Sequence, residues 1–250
     1  MKAPTSLAAV FALLGALFAA PPLLAGEAQS EQIAALRAKL ERDMPQLPVT
    51  SIRESPLPGV LELVSGARVL YLTPDAKYML DGSIIDLESR ENITAQTRGR
   101  VQYAAIEAVG EDNMLIFRPE DGGSGRSITV FTDTNCGFCQ KLHREIGTLL
   151  DAGISVRYLM VPLRGSRAVM ESVWCADDPQ QAMTDAKAGR DVPERTCDNP
   201  IDQHVALSRE VGLRGTPMIF VDDGRSIPGY RPAQDLIDAV EGGEPLALKQ

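Results

Sequence analysis

The sequence is poor in histidine, cysteine and positive charge, and each shortage narrows the functions open to it. It has 2 histidines and 4 cysteines, and 34 acidic residues outnumber 25 lysines and arginines, which gives a formal net charge of −9. An acidic chain is a poor binder of nucleic acid and of anionic lipid. Neither His143 nor His204 completes a zinc-finger pattern with the cysteines. We therefore expect no metal, no cofactor and no nucleic-acid partner.

The apolar run near the N terminus, at residues 7–20, is short for a membrane helix, which requires about 20 apolar residues. Lys2 precedes this run, and small residues near Ala25 and Ala28 follow it. That order is typical of a secretory signal peptide, and its short length disfavours the alternative of an uncleaved anchor helix. We predict that residues 1–28 are a signal peptide, cleaved between Ala25 and Ala28, and that the mature protein is exported.

The four cysteines form an even set, which suits the oxidising compartment that an export signal implies. Three connectivities are possible, but the spacing separates a close pair, Cys136 and Cys139, from a distant pair, Cys175 and Cys197. A bridge between the distant pair would stabilise the fold by roughly 3 kcal/mol in the chain-entropy model. We interpret the distant pair as a structural disulfide and the close pair as a redox centre.

The run Cys136-Gly-Phe-Cys139 joins a predicted strand, residues 127–131, to a helix predicted to begin near Cys136 with Asn135 as its N-cap. A thiol at a helix N-terminus is stabilised as a thiolate, so its pKa should fall from about 8.5 into a range of roughly 3.5 to 7.5. Helical spacing turns Cys139 toward the core and leaves Cys136 at the exposed start. Cys136 is therefore predicted to attack and Cys139 to resolve.

The first part of the mature chain is predicted to be a small β domain, residues 29–90. Residues 29–43 have the spacing of an amphipathic helix, and short β-rich runs separated by turn residues follow, which indicates an antiparallel meander. The runs cover residues 60–64, 69–72, 78–80 and 83–87. So small a unit has little core and exposed strand edges, so we expect it to form a homodimer.

The rest of the chain is predicted to be a linker helix, residues 91–112, and a second domain, residues 113–250. In the second domain a strand, a helix and another strand form a βαβ unit, and the overall class is α+β. The remaining predicted elements are a helical insert at 167–188, a helix at 200–211 capped by Asn199, a hairpin that begins at 218–221 and a last helix at 232–240.

Further motifs accompany the Cys-x-x-Cys run. They are Lys141-Leu142-His143, Val156-Arg157-Tyr158-Leu159, Trp174-Cys175-Ala176, Cys197-Asp198, Gly215-Thr216-Pro217 and Pro228-Gly229-Tyr230. With these motifs the chain resembles the DsbC/DsbG family of periplasmic thiol:disulfide isomerases, which have a thioredoxin-like fold. The resemblance covers essentially the whole mature chain, whereas a Cys-x-x-Cys pair alone would be a weak signal.

The resemblance implies a V-shaped homodimer, joined through the N-terminal domains, whose cleft holds misfolded disulfide-containing exported proteins. It implies that Cys136 attacks, that Cys139 resolves and that Cys175 and Cys197 form the family's structural disulfide. It also implies that the membrane reductase DsbD keeps the close pair reduced.

The resemblance further places Thr216 and a cis Pro217 against the redox pair. From the residues alone a trans bond is the more frequent choice, because only about 5% of X–Pro bonds are cis. A bend at this proline would expose the backbone of Thr216 as a strand edge with which a substrate peptide can pair. Thr216 and Pro217 are therefore predicted site residues beside the two cysteines.

The proton acceptor for Cys139 is left open. Thioredoxin has a buried carboxylate six residues before its first cysteine, where this chain has Val130. His143 lies one turn after Cys139, but we expect it to be a surface histidine without a catalytic task, because many titratable residues near sites are bystanders. His204 and Trp174 are expected to be structural.

Three other functions remain open. A disulfide-introducing oxidase uses the same chemistry in reverse, but it typically lacks the N-terminal β domain. A DsbG-like reductase that protects single cysteines shares the architecture, although the dipeptide between its cysteines typically begins with Pro where this chain has Gly137. A holdase chaperone would use the apolar cleft without thiol chemistry, and we expect it as a second activity.

Overall fold

The structure, a computed structural model, describes residues 22–242, with side chains from residue 29 onward. The predicted signal peptide, residues 1–28, lies outside the part whose side chains are described, and so does its predicted cleavage point. Among the described helices, none combines the length and the apolar character needed to cross a membrane.

The first unit of the fold is an antiparallel sheet between two helices. Its elements are α1 (Pro22–Asp43), β1 (Ser51–Glu54), β2 (Leu61–Ser65), β3 (Arg68–Leu72) and β4 (Met79–Leu80). The strands follow one another in the order β1-β2-β3-β4, all antiparallel, so the predicted meander is confirmed. Leucines on one face of β2 and β3, among them Leu63 and Leu70, pack against Leu36 and Leu40 of α1.

The strand predicted at residues 83–87 is wrong. Here the chain makes only one isolated bridge, between Ile85 and Asn92. The side chain of Asp86 accepts hydrogen bonds from the backbone N–H groups of Glu88 and Ser89, at 2.8 and 3.0 Å. This aspartate turn competes with a strand ladder and reverses the chain. Strand β1, in contrast, was not predicted as a strand.

Helix α2 (Ile93–Glu107) follows, with Asn92 as its N-cap: the Asn92 side chain accepts from the N–H of Ala95 at 2.9 Å. The helix is shorter than the predicted linker, residues 91–112, because it ends at Glu107 and a separate 3-10 turn, Glu111–Asn113, follows. The predicted domain boundaries themselves stay predictions.

Helix α2 connects the two units through polar contacts on both sides. Its Thr97 Oγ1 donates to Glu62 of β2 at 3.1 Å. Its Gln102 Nε2 donates to the Val211 carbonyl at 2.6 Å, and its Glu107 pairs with Arg157 at 2.6 Å. The helix is thus docked on the second unit and is not a free tether.

The second unit contains a mixed sheet of five strands in the order β5-β7-β6-β8-β9. The strands are β5 (Leu115–Phe117), β6 (Arg126–Thr132), β7 (Ile154–Met160), β8 (Met218–Val221) and β9 (Ser226–Pro228). Strands β6 and β7 are parallel and the other neighbours are antiparallel, so the predicted βαβ unit and the hairpin are confirmed. With the N-terminal sheet, these elements confirm the α+β class.

Within the described residues, six helices pack around this sheet. They are α3 (Gly137–His143), α4 (Ile146–Asp151), α5 (Arg167–Trp174), α6 (Pro179–Lys187), α7 (Ile201–Glu210) and α8 (Ala233–Val240). The helical insert is therefore two helices, α5 and α6, separated at residues 175–178. The core covers both sheet faces: Val130 and Ile219 are buried in one cluster and Phe131 and Phe220 in another.

Three helix boundaries differ from the prediction. The single helix predicted to begin near Cys136 is divided into α3 and α4. Between them, the Glu145 carboxylate accepts the backbone N–H of Ala233 at the start of α8. The N-cap of α3 is Cys136 and not Asn135. The N-cap of α7 is Pro200, so Asn199 lies one residue outside the helix.

Gly99 in α2 gives a test of the contact between the two units. A Cβ at this position would overlap the carbonyl oxygen of Gly224, in the turn between β8 and β9. We predict that Gly99→Ala lowers the free energy of unfolding by about 1–3 kcal/mol, because backbone cannot move aside as a flexible side chain can. Urea unfolding of the purified protein measures this change.

Gly147 in α4 is the matched control, since a Cβ there would meet no atom within 4 Å. Gly147→Ala should stabilise the protein slightly, by up to about 1 kcal/mol, because alanine is the better helix former. Equal stabilities of the Gly99 and Gly147 variants would contradict the described contact.

Candidate functional site

A buried carboxylate fixes the loop between β6 and α3. Asp133 has no exposed surface, and its Oδ1 accepts from the backbone N–H of Asn135 at 2.8 Å and from the Ser166 hydroxyl at 2.7 Å. Its Oδ2 accepts from the backbone N–H of Arg164 at 2.9 Å. One side chain therefore holds together two loops at the same end of the parallel strands β6 and β7, and it determines where Cys136 lies.

The two cysteines of the close pair are free thiols at the start of α3. The carbonyl of Cys136 accepts the N–H of Gln140 at 2.9 Å, so the helix begins directly after this cysteine. Cys139, within the first turn, is only 1% exposed. The structure thus brings the pair together as predicted, with Cys139 inside.

The prediction that Cys136 lies exposed at the helix start is wrong, since the residue is 3% exposed. The loop before β8 covers it: the Cys136 Sγ donates to the carbonyl oxygen of Thr216 at 3.2 Å. The contact joins residues that are 80 positions apart in the chain, so helical periodicity around Cys136 could not reveal it.

The surroundings of Cys136 lower the pKa of its thiol below the ordinary value. Burial acts in the opposite direction, because it penalises the thiolate, but several hydrogen bonds outweigh it. They come from the backbone N–H of Cys139, the Thr216 side chain, the Cys139 side chain and the backbone N–H of Phe138. The direction agrees with the expectation for a thiol at a helix N-terminus.

Cys139 has the opposite environment. Burial raises the pKa of its thiol, and this effect exceeds the opposing influence of the Lys187 charge and of hydrogen bonds with Asp133 and Thr132. Two thiols three residues apart therefore differ in acidity: the leading one favours the thiolate and the inner one favours the protonated thiol. In such a pair the Cys136 thiolate can attack a disulfide while Cys139 stays protonated.

Thr216 and Pro217 lie beside Cys136, as predicted. The peptide bond between them is cis. The carbonyl of Pro217 accepts the N–H of Gly229 at 2.9 Å, which attaches this loop to the end of β9. The Thr216 carbonyl oxygen accepts from the Cys136 sulfur, so Thr216 is in direct contact with the leading thiol.

An aromatic pair, of which Phe138 is exposed and Tyr230 is partly buried, borders the site. Phe138, between the two cysteines, is 64% exposed and stacks on Tyr230 with ring centroids 6.4 Å apart. The Tyr230 hydroxyl donates to Glu145 at 2.6 Å, and the ammonium of Lys141 lies 4.4 Å from the centre of its ring. An apolar surface at the entrance of a polar site suits a polypeptide ligand.

The distant cysteine pair, Cys175 and Cys197, forms a disulfide with its Cα atoms 5.7 Å apart. Cys175 is the C-cap of α5, and Cys197 lies in the segment before α7. The bond connects both ends of the region that contains α6, so it limits the movement of this helix relative to the sheet.

His143 is not the surface histidine that we expected, since it is 6% exposed. Its Nδ1 lies 3.0 Å from the Tyr158 hydroxyl and its Nε2 lies 3.1 Å from the Thr184 hydroxyl of α6, which covers it. Burial, together with the charge of Lys187, lowers the pKa of His143 to about 4. A neutral imidazole engaged at both nitrogens is a poor proton acceptor.

His204 is structural, as expected. The backbone N–H of Met160 donates to its Nδ1 at 3.1 Å, so Nε2 carries the proton and donates to the Asn113 carbonyl at 2.6 Å. Burial lowers the pKa of His204. The edge of Trp174 packs against this ring, with centroids 6.4 Å apart.

Two residues near the thiols, Asp133 and Lys187, were not predicted from the sequence as site residues. Asp133 could have been found as an aspartate directly after a buried strand, within the turn that leads to the Cys-x-x-Cys run. Lys187, at the end of α6, is buried beside Cys139 and had no signal of its own, because nothing local distinguishes it from a surface lysine.

Two family models match the chain. Residues 27–95 match the disulfide bond isomerase protein N-terminal domain, and residues 121–243 match a thioredoxin-like domain. The first match covers the antiparallel sheet, and the second covers strands β6 to β9 of the mixed sheet with both cysteine pairs. The thioredoxin-like character of the second unit, predicted from the motifs, is thereby confirmed.

Several curated relatives are thiol:disulfide interchange proteins DsbC. The protein of Salmonella typhimurium is 33% identical over 231 residues, which cover 91% of this chain and 92% of the relative. That of Dickeya dadantii is 33% identical over 219 residues, 86% of this chain and 88% of the relative. That of Escherichia coli is 30% identical over 191 residues, 75% of this chain and 79% of the relative.

The buried His143 predicts a dependence of stability on pH. Its pKa is lower in the fold than in the unfolded chain, so the unfolded state binds more protons between about pH 6.5 and about pH 4. This contribution to stability is present above about pH 6.5 and is lost as the pH falls toward about 4. We expect His143→Gln to lose less stability than the parent over this range, by about 1–2 kcal/mol.

Urea midpoints of both proteins at about pH 7 and about pH 4.5 measure the difference. His204, which also has a lowered pKa, is present in both proteins and cancels in the comparison. Equal losses of stability in parent and variant would contradict a neutral, buried His143.

Proposed function

Because the chain belongs to the DsbC family of thiol:disulfide interchange proteins, we propose that it isomerises non-native disulfides in exported proteins through Cys136, with Cys139 as the resolving thiol. The observation that carries this assignment is the geometry of the Cys-x-x-Cys turn: Cys136 caps α3 beside Thr216, and Cys139 is buried in the first turn of the helix. This geometry displaces the pKa values of the two thiols in opposite directions. In a reduced pair of this kind, Cys136 is the nucleophile, and attack by Cys139 on the mixed disulfide follows more slowly.

In the first step the Cys136 thiolate attacks one sulfur of a substrate disulfide. A bond forms between Cys136 Sγ and that sulfur, the substrate disulfide breaks, and the second substrate sulfur leaves as a thiolate. The Thr216 side chain and the N–H groups of Phe138 and Cys139, which stabilise the free thiolate, hold Cys136 in its reactive form until the substrate arrives.

Two reactions can then release the enzyme. A second substrate thiolate attacks the mixed disulfide, which frees Cys136 and leaves the substrate with a rearranged disulfide. Alternatively the Cys139 thiolate attacks Cys136 Sγ, which gives the Cys136–Cys139 disulfide and a reduced substrate. Burial keeps Cys139 protonated and so slows the second reaction, which favours rearrangement over reduction.

The surface around Cys136 supports a polypeptide substrate. The exposed Phe138 and its partner Tyr230 offer apolar contact, and Thr216 offers backbone beside the reacting sulfur. We assign Thr216 and Pro217 to substrate binding on this basis. The same apolar surface would serve a chaperone activity toward unfolded clients, which requires no thiol chemistry.

The exposed edge of the N-terminal sheet supports a homodimer. Among the described residues, strand β4 pairs only with β3. Its Leu80 is 52% exposed, and Leu87, in the loop that follows, is 89% exposed. Exposed apolar residues at a strand edge are suited to pairing with a second copy. We place the dimer contact here.

The location and the electron donor complete the proposal. A periplasmic location rests on the predicted signal peptide, and it would supply disulfide-containing clients. The membrane reductase DsbD would return the Cys136–Cys139 disulfide to two thiols. Rapid alkylation of thiols in intact cells measures whether the Cys136–Cys139 pair is reduced or oxidised. A mostly reduced pair supports an isomerase, and a mostly oxidised pair would indicate an oxidase.

Substitution of each cysteine separates their roles. We predict that Cys136→Ser abolishes refolding of scrambled ribonuclease, because the attacking sulfur is gone, whereas Cys139→Ser accumulates mixed disulfides that non-reducing gels display. The Cys175–Cys197 disulfide is left intact in both variants. Refolding by the Cys136 variant at the parent rate would refute the assignment.

Substitution of Leu80 tests the dimer. Leu80→Asp places a charge at the β4 edge and should convert the dimer to a monomer in light scattering at micromolar concentration, because a buried unpaired carboxylate is costly. Leu57→Asp is the control, since Leu57 is also exposed but lies in the turn before β2. A parent protein that is already monomeric would contradict the proposed contact.

A further inference from the structure

Lys187 is a buried lysine that the reaction described above does not use. It is the last residue of α6 and is 3% exposed. Its Nζ donates to the Thr132 hydroxyl and to the Asp133 carbonyl oxygen, the latter at 2.8 Å. Both acceptors are uncharged. Among the residues that the structure describes, no carboxylate lies within ion-pair distance of this ammonium.

The groups that face Lys187 come from three neighbouring elements. Asp133 lies at the end of β6, and its carboxylate is already held by three other donors. Tyr158 of β7 presents its ring 5.8 Å from Nζ, and His143 of α3 is neutral. The remaining titratable neighbours are the thiols Cys136 and Cys139. A buried ammonium without a salt-bridge partner therefore faces two sulfur atoms that can become anions.

Lys187 and Cys139 share their hydrogen-bond neighbours. The thiol of Cys139 interacts with the Thr132 side chain and with the backbone of Asp133, and Nζ donates to the same two residues. Burial lowers the pKa of Lys187 to about 8, so an appreciable fraction of the amine is free near neutral pH. A base is most effective when its pKa lies near the operating pH.

We propose that Lys187 accepts the proton of Cys139 and then remains beside the thiolate as its counter-ion. This inference rests on the proposed function, in which Cys139 resolves the mixed disulfide. Lys187 would thus be the proton acceptor for Cys139. Val130, which stands where thioredoxin has a buried carboxylate, cannot accept a proton, and His143 is engaged at both nitrogens.

The proton transfer takes place in the mixed disulfide between Cys136 and the substrate. The neutral amine of Lys187 takes the S–H proton of Cys139, and the resulting thiolate attacks Cys136 Sγ. The bond between Cys136 and the substrate breaks, the substrate sulfur leaves with the electron pair as a thiolate, and the Cys136–Cys139 disulfide forms. The cysteine pair is oxidised, the substrate is reduced, and the ammonium returns its proton to solvent.

The protonation state of Lys187 affects the balance between rearrangement and reduction. When Lys187 is protonated, no amine is free to take the Cys139 proton, and the mixed disulfide persists long enough for rearrangement. As the pH rises through the pKa of Lys187, resolution accelerates and reduction gains. One buried lysine would thereby set how long the substrate stays attached.

The test follows both sulfur reactions with Ellman's reagent by stopped flow. Attack by Cys136 releases one nitrothiobenzoate, and attack by Cys139 on the mixed disulfide releases the second in a separate phase. In Lys187→Met the second phase should be roughly tenfold slower at about pH 7 and its pH midpoint should rise by at least about one unit, with the first phase little changed.

Two further variants make the result specific. Lys187→Gln can still donate hydrogen bonds to Thr132 and Asp133 but cannot exchange a proton, so it should behave like Lys187→Met. Lys77→Met removes an exposed lysine between β3 and β4, in the N-terminal unit, and should leave the second phase unchanged. Urea midpoints establish that each variant is folded.

The outcomes separate the two proposals. A second phase with the parent rate and midpoint in folded Lys187→Gln overturns the role of Lys187 and leaves that of Cys136 intact. Absence of a fast first phase in the parent protein overturns the proposed function itself. A slower second phase in both Lys187 variants, with a raised midpoint, supports the proton transfer.

Discussion

The contrast between two sulfur atoms, one at the start of α3 and one inside its first turn, is the constraint on which the other features depend. Hydrogen bonds lower the pKa of Cys136 despite its burial, and burial raises the pKa of Cys139. This difference between the two pKa values requires that the loop between β6 and α3 be held in position. Asp133 fixes that loop with three hydrogen bonds, so a single buried carboxylate supports the chemistry without taking part in it.

The helical insert, α5 and α6, contributes directly to the site. Helix α6 covers His143 through Thr184 and brings Lys187 to the sulfur atoms, while the Cys175–Cys197 disulfide restrains the region. The insert therefore makes the inner side of the site dry and positively charged. On the outer side, the exposed ring of Phe138 stacks on the partly buried ring of Tyr230.

Much of this arrangement could be predicted from the sequence, because it is local. Buried runs bounded by turn residues gave β6, β7 and the hairpin, and the Cys-x-x-Cys spacing identified the reacting pair. What failed depends on contacts distant in sequence. Thr216 buries Cys136 across 80 residues, and Thr184 buries His143 across 41. No local pattern distinguishes Lys187 from an exposed lysine, so only the fold reveals it.

The proposed reaction requires that Cys136 be the more acidic thiol of the pair. The most direct test is the ultraviolet absorbance of the thiolate across a pH titration of the reduced protein, repeated on variants that each retain one cysteine of the pair. We expect a midpoint for Cys136 below that of an ordinary thiol and a midpoint for Cys139 above it. Equal midpoints, or a higher one for Cys136, would show that Cys136 is not the attacking thiolate.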